Sequence, residues 1–219
     1  MQQRSKPGKA ASHRLSPTLT FFRQWLKNPL AIAALSPSSR QLARLMVQQL
    51  PRGAQRIIEL GGGTGVFTQA LLDHGIRAQD LLVLELNQEL YQYLSMRFAD
   101  AHVACADARE LRSLVRRLHF TADGPVDAVV SGLGLLSMSR RMQREILDAA
   151  FVIMAPEGRF IQFTYGPVSP VPRELLNDLG LTVRRAGLAW WNIPPASVYV
   201  FQRSRSRAVH AVRAGSRQA

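Results

Sequence analysis

The chain has 219 residues, with 28 Lys+Arg against 15 Asp+Glu, a formal net charge of +13. That length suits one domain able to bury a core, and the single cysteine, Cys105, excludes an internal disulfide and fits a reducing compartment. The five histidines lie scattered without metal-ligand spacing, so no metal is expected.

The charge is unevenly placed. Residues 1–58 hold ten Lys/Arg and no acid, residues 179–219 hold seven and no acid, and residues 59–178 hold eleven against fifteen acids. Basic ends suit polyanions, either nucleic acid or an anionic membrane surface. The organisation expected is a basic N-terminal segment over 1–35, a folded domain over 36–203 and a basic mobile tail over 204–219.

Residues 1–14 are polar, basic and expected to be disordered. Ser16-Pro17 then reads as a helix cap with proline at the first helical position. Leu19, Phe22 and Leu26 recur at helical spacing, flanked by Phe21 and Trp25 and interleaved with Arg23 and Lys27, until Asn28-Pro29 ends the pattern. An amphipathic helix of this composition suits a membrane interface or packing on the domain, and the pattern alone leaves both open. The apolar run Leu30–Leu35 is too short to span a bilayer, and no clear signal peptide precedes it. Ser36-Pro37 opens a second helix marked by Leu42, Leu45, Met46 and Leu50.

The central stretch is Arg56-Ile57-Ile58-Glu59-Leu60-Gly61-Gly62-Gly63-Thr64-Gly65, followed by the helical pattern Val66, Phe67, Ala70 and Leu71. It predicts strand, tight turn and helix. The dinucleotide fingerprint G-x-G-x-x-G/A fails here, because the last glycine falls at Gly65 and Val66 stands where Gly or Ala is required. No Lys-Ser/Thr follows, which excludes a P-loop. Glu59 beside the turn disfavours a polyphosphate and favours a cation. The ligand this predicts is S-adenosylmethionine (SAM), whose methionine end carries an ammonium.

Leu81–Leu86 reads as a buried parallel strand ending at Glu85, 20 residues after Gly65, where an acid bonds ribose hydroxyls. Asn87 begins a helix to about Phe98. His102–Asp107 is a weaker strand, and Asp107 at its end either bonds an adenine amino group or caps the helix Ala108–Leu118. Val126–Ser131 is the fourth strand and runs into the apolar loop Gly132-Leu133-Gly134-Leu135-Leu136. A helix over Arg140–Met154, capped by Ser139, is expected to stop at Pro156 and Gly158, before a fifth strand Arg159–Tyr165. Pro172–Leu179 is a short helix, and Leu181–Leu188 and Val198–Gln202 are strands. The alternation predicts a doubly wound α/β domain, in which ligands bind beyond the carboxyl ends of the strands. Gly61–Gly65, Glu85, Asp107, Ser131–Gly134 and Tyr165 all fall at such ends.

The motifs Glu59-Leu60-Gly61-x-Gly63-x-Gly65, Glu85 and Asp107 resemble those of the class I SAM-dependent methyltransferases. The resemblance implies a Rossmann-like seven-stranded sheet with helices on both faces and the last strand antiparallel. It implies that Glu59, Gly61, Gly63, Gly65, Glu85, Leu86, Asp107, Ala108 and Ser131 hold SAM, without a metal. A narrower set also stands in the sequence: Phe22-x-x-Trp25-Leu26-x-Asn28-Pro29, Pro37-Ser38-Ser39, Ser131-Gly132-Leu133, Gln162-Phe163-Thr164-Tyr165-Gly166-Pro167 and Asn192-Ile193-Pro194-Pro195-Ala196. This set is similar to the bacterial phospholipid N-methyltransferases, although Gly134 stands where that family often has proline.

The likeness implies stepwise methylation of phosphatidylethanolamine toward phosphatidylcholine, with an aminophospholipid as substrate. It also implies an enzyme of the bacterial cytoplasm, bound peripherally to the cytoplasmic face of the inner membrane by the N-terminal helix. On this reading Tyr165, Ser131 and Gly132 are the catalytic group, with Tyr165 either orienting the amine or packing as a strand-end aromatic in the core. Phe22, Arg23, Trp25, Leu26 and Lys27 meet the membrane, Asn192 meets the substrate, and Arg184 or Arg185 holds its phosphate. Leu133, Leu135, Trp190 and Trp191 shelter acyl chains or fill the core. The rival reading is an rRNA or other nucleic-acid adenine N-methyltransferase. Such enzymes place an Asn or Asp and an aromatic after the fourth strand, whereas Ser131-Gly132-Leu133-Gly134-Leu135 offers no amide and no ring, which disfavours nucleic acid.

Overall fold

A computed structural model describes residues 37–165, 167–190 and 195–204. The expected amphipathic helix, with Phe22, Arg23, Trp25, Leu26 and Lys27, lies outside the described residues, as do Gly166, Trp191, Asn192 and the tail after Ser204.

Among the described residues the first element is helix α1 (Pro37–Val47), followed by β1 (Ile57–Leu60) and α2 (Val66–Asp73). Then come β2 (Leu81–Glu85), α3 (Gln88–Arg97), β3 (His102–Cys105), α4 (Leu111–Arg117) and β4 (Val126–Ser131). The chain ends with α5 (Arg140–Ile153), β5 (Met154–Tyr165), α6 (Arg173–Leu179), β6 (Leu181–Ala189) and β7 (Ala196–Arg203). The seven strands form one sheet in the order β3-β2-β1-β4-β5-β7-β6. The first five are mutually parallel, and β7 inserts antiparallel between β5 and β6.

Alternation along the central strands divides the core in two. Ile57, Leu81 and Val83 pack with Leu42 and Met46 of α1, Leu71 of α2 and Leu94 of α3. Ile58, Leu60, Leu82 and Leu84 face the other way, onto the side held by Leu111 and Leu114 of α4, Ile146 and Leu147 of α5, and Leu175 of α6. Both faces of β1 are therefore dry, and Glu59 within it is fully buried.

Two boundaries differ from the sequence expectation. Pro156 and Gly158 do not separate α5 from the fifth strand. The strand begins at Met154, directly after the helix, and pairs Val126 with Met154 and Ala128 with Arg159 across an irregularity. The Pro-Glu-Gly stretch is the extra length of a bulge, a place where sheets accept proline. The last hairpin is also longer than predicted, with Ala189 paired to Ala196 and Ala196 to Tyr165.

Candidate functional site

The parallel strands end together at one edge of the sheet, and the glycine turn after β1 sits in the middle of it. Gly61, Gly63 and Gly65 all take positive φ, 76°, 55° and 79°, which only glycine adopts readily. Their surroundings differ. A side chain at Gly65 would run into the Phe98 ring at 2.4 Å, whereas at Gly63 nothing lies within 4 Å. Gly65 is thus demanded by packing as well as by its backbone, and Gly63 borders open space. Gly61 backs onto the loop after β4, where an added carbon would meet Leu133 at 3.0 Å.

Two acids, Glu59 and Glu85, flank the turn, and a third, Asp107, lies two strands away. Glu59 receives a 2.6 Å hydrogen bond at Oε2 from the Thr68 hydroxyl of α2. Its Oε1 is buried with no partner among the described residues. Burial raises its carboxyl from 4.5 to about 8; the Thr68 hydrogen bond opposes the shift and the Glu85 charge adds to it. Glu85, at the end of β2, accepts from the Gly63 N–H and the Asn87 N–H, both at 2.9 Å, and so braces the turn against the start of α3. Leu86 beside it is exposed.

Asp107 follows β3. Its carboxylate caps the turn at Ala108 by accepting from the Arg109 N–H at 2.9 Å, and it pairs with the Arg109 guanidinium at 2.7 Å. The Arg109 hydrogen bond is the chief reason its pKa lies below the ordinary value. The capping alternative is thus the contact present.

The loop after β4 completes the edge. Ser131 is fully buried, and its Oγ accepts from the Leu133 N–H at 3.3 Å. Gly132 donates to the Leu60 carbonyl at 2.8 Å, and an added carbon there would meet the Gly61 carbonyl at 2.9 Å. The two glycine loops touch with no room for a side chain between them. Tyr165 ends β5, its ring edge-on to Phe163 at 5.6 Å, and burial raises its phenol pKa. At neutral pH it is a hydrogen-bonding phenol and not a base.

The structure therefore brings Glu59, Gly61, Gly63, Glu85, Asp107, Ser131, Gly132 and Tyr165 to one edge. Arg184 is a correction. It lies within β6, roughly 17 Å back along the strand from Ala189 at ~3.4 Å per residue, and its guanidinium reaches Gln49 Oε1 after α1 at 3.1 Å. That places it on the flank, away from the edge. Leu135 is core, but Trp190 is 72% exposed and does not fill it.

Sequence reasoning gave no role to Thr68, Gln143 or Gln162. Gln162 donates to the Leu133 carbonyl at 2.8 Å, and Gln143 donates to the carbonyls of Leu135 at 2.7 Å and Pro170 at 3.1 Å. Both glutamines are buried, and together they suspend the loop after β4 from β5 and α5. The available signal was a polar residue in an otherwise apolar run, as in Phe160-Ile161-Gln162-Phe163.

The edge fits SAM on two observations. A buried carboxyl oxygen lacks a partner next to the turn, as an ammonium site requires, and Gly63 leaves open space for close approach. Among the described residues no group of His, Cys, Asp and Glu could hold a metal ion.

No protein-family model matches the chain. An ornithine lipid N-methyltransferase of Singulisphaera acidiphila is 32% identical over 182 residues, covering 82% of this chain and 92% of that protein. A ribosomal RNA small subunit methyltransferase A of a Synechococcus strain is 30% identical over 128 residues, but covers only 53% of this chain and 42% of that protein. Among solved structures, the magnesium protoporphyrin IX methyltransferase of Synechocystis PCC 6803 superposes with a TM-score of 0.59 at 12% identity, covering 88% of this chain and all (100%) of that one.

Proposed function

The chain belongs to the class I SAM-dependent methyltransferases, and from that membership we propose that it transfers methyl groups to the amine of a membrane lipid. The observation that carries this reading is the 32% identity to an ornithine lipid N-methyltransferase across 92% of that protein. We assign phosphatidylethanolamine as the lipid, on the motifs quoted above. Ornithine lipid presents the same kind of nucleophile, a primary amine beside an acyl-bearing anchor.

SAM supplies a methyl group on a sulfonium, already activated toward a nucleophile. The protein's work is then positioning, which can lower a barrier by about 7–11 kcal/mol. In this reading the free Oε1 of Glu59 meets the ammonium of the methionine end, and Gly61 and Gly63 border it. Glu85 takes the ribose hydroxyls, and Leu86, Asp107 and Ala108 border the adenine. Gly65 acts through packing, by seating α2 against Phe98. The lipid amine enters over the Ser131-Gly132-Leu133 loop, and the Tyr165 hydroxyl orients it by a hydrogen bond. Bound SAM would offer its methyl to the neutral amine held there and leave as the neutral thioether, and the extra proton on nitrogen would pass to water.

Peripheral attachment through residues 16–28, and a place on the cytoplasmic face of a bacterial inner membrane, belong to this proposal. No helix among the described residues is long and apolar enough to cross a membrane. The amine requirement is tested with labelled SAM and three vesicle preparations: phosphatidylethanolamine, the same lipid N-acetylated, and ornithine lipid. Label is expected in amine-bearing lipid and absent from the N-acetylated form. Label in the acetylated lipid would overturn N-methylation.

A further inference from the structure

Large apolar side chains stand exposed on three separate connections at the carboxyl edge: Leu136 after β4, Val168 after β5 and Trp190 after β6. They are 50%, 63% and 72% exposed. Several contacts hold these connections side by side. The Gln143 amide bonds both the Leu135 and Pro170 carbonyls, which ties the first connection to the second. The Tyr199 hydroxyl of β7 donates to the Pro167 carbonyl at 2.7 Å, and Tyr165, Ala196 and Ala189 pair in register across β5, β7 and β6. The second connection is thus tied to the third.

Cations border this apolar rim. Helix α5 opens with Arg140 and Arg141 and has no acid in its first turn. Positive charge at a helix N-terminus opposes the helix dipole, so its placement there does not serve the helix. Arg141 is offset by Glu145, but Arg140, and Arg173 at the start of α6, make no ion pair among the described residues. Glu174 is the acid in the first turn of α6. An exposed tryptophan beside aliphatic side chains and arginines is the composition that settles at a lipid–water interface.

We infer that this rim, Leu136, Val168 and Trp190 with Arg140 and Arg173, is a second membrane-docking surface, which seats the mouth of the site flat on an anionic bilayer. The occupant is the bilayer surface and not a protein, and the inference rests on the lipid-substrate reading above. The N-terminal segment would tether the enzyme, and the rim would set its orientation. A lipid headgroup could then reach Tyr165 with its acyl chains still in the membrane.

The test uses the full chain and vesicles of phosphatidylcholine with phosphatidylglycerol, which contain no amine substrate. The triple variant Leu136→Glu, Val168→Glu, Trp190→Glu is compared with Val152→Glu. Val152 is also exposed, at 57%, but lies near the C-terminal end of α5, at the opposite edge. The triple variant is expected to lose about tenfold in vesicle partition, with unchanged SAM affinity and thermal midpoint, and Val152→Glu to bind as the parent does. Binding within about twofold of the parent, or equal loss in both variants, would overturn the inference.

A second measurement places the tryptophan directly. In a Trp25→Phe, Trp191→Phe chain, acyl-brominated lipid should quench Trp190 fluorescence, and no quenching would overturn the inference. Methyl transfer to a short-chain phosphatidylethanolamine dissolved below its micelle concentration separates this inference from the reading it rests on. A Leu136→Glu, Val168→Glu double variant should match the parent there; if the parent itself transfers nothing to any amine lipid, the substrate reading fails instead.

Discussion

Glu59 is a carboxyl enclosed in a dry strand, and its pH behaviour follows from that place. Its folded-state pKa, about 8 against an ordinary 4.5, is raised. The native state therefore keeps a proton that the unfolded chain loses between those values. The stability Glu59 contributes is full below the lower value and is lost as pH rises through the upper one. Urea unfolding followed across that window should show falling stability for the parent and a flatter profile for Glu59→Gln. Parallel profiles would contradict the assignment. The ammonium of SAM favours the ionised carboxyl, so binding should also release protons below that pKa. Titration calorimetry in buffers of different ionisation enthalpy reads this out, and Glu59→Gln should bind weakly with no proton release.

The glycines separate folding from binding at the same scale. Gly65→Ala forces a clash with Phe98 on top of positive φ and should cost about 1–3 kcal/mol of stability. Gly63→Ala meets no neighbour and should cost only the backbone penalty, roughly 1–2 kcal/mol, with most of its effect on SAM affinity. Denaturant midpoints set against binding constants distinguish the two.

At the scale of elements, the loop after β4 is held by side chains from its neighbours more than by its own residues. Gln162 reaches it from β5 and Gln143 from α5, and each has a buried carbonyl oxygen without a partner. Gln162→Leu leaves the Leu133 carbonyl without that donor, at a cost of about 1–3 kcal/mol. It should lower the transfer rate more than SAM affinity. A fall in SAM affinity alone would place the loop outside the substrate side.

Such roles were hidden in the sequence because they depend on partners 29 and 8 residues away. The Gly61–Gly65 turn and the acid ending β2 were legible, because each is written within a few residues. The bulge at Pro156-Glu157-Gly158 was misread for the opposite reason. Proline and glycine are local stop signals, and only pairing with β4 shows that the strand continues through them. Arg184 failed likewise. The sequence does not show how far β6 runs, and the pairing with β7 puts its carboxyl end at Ala189, which leaves Arg184 mid-strand on the flank.

At the scale of the whole molecule, an acid-containing domain lies between two acid-free basic ends, and the rim proposed above would give the domain a lipid-facing side. Deleting residues 1–28 should reduce binding to anionic vesicles while leaving SAM affinity intact, because the residues assigned to SAM all lie between Glu59 and Ser131. Undiminished vesicle binding would remove the tether from the account. The weaker likeness to ribosomal RNA methyltransferases makes substrate class the central question. The most direct measurement offers labelled SAM, phosphatidylethanolamine vesicles and bulk RNA to the 219-residue chain together, then separates lipid from RNA. The account predicts label in the lipid, on the amine, and none in the RNA. Label in the RNA would contradict it and make the basic ends a nucleic-acid footprint.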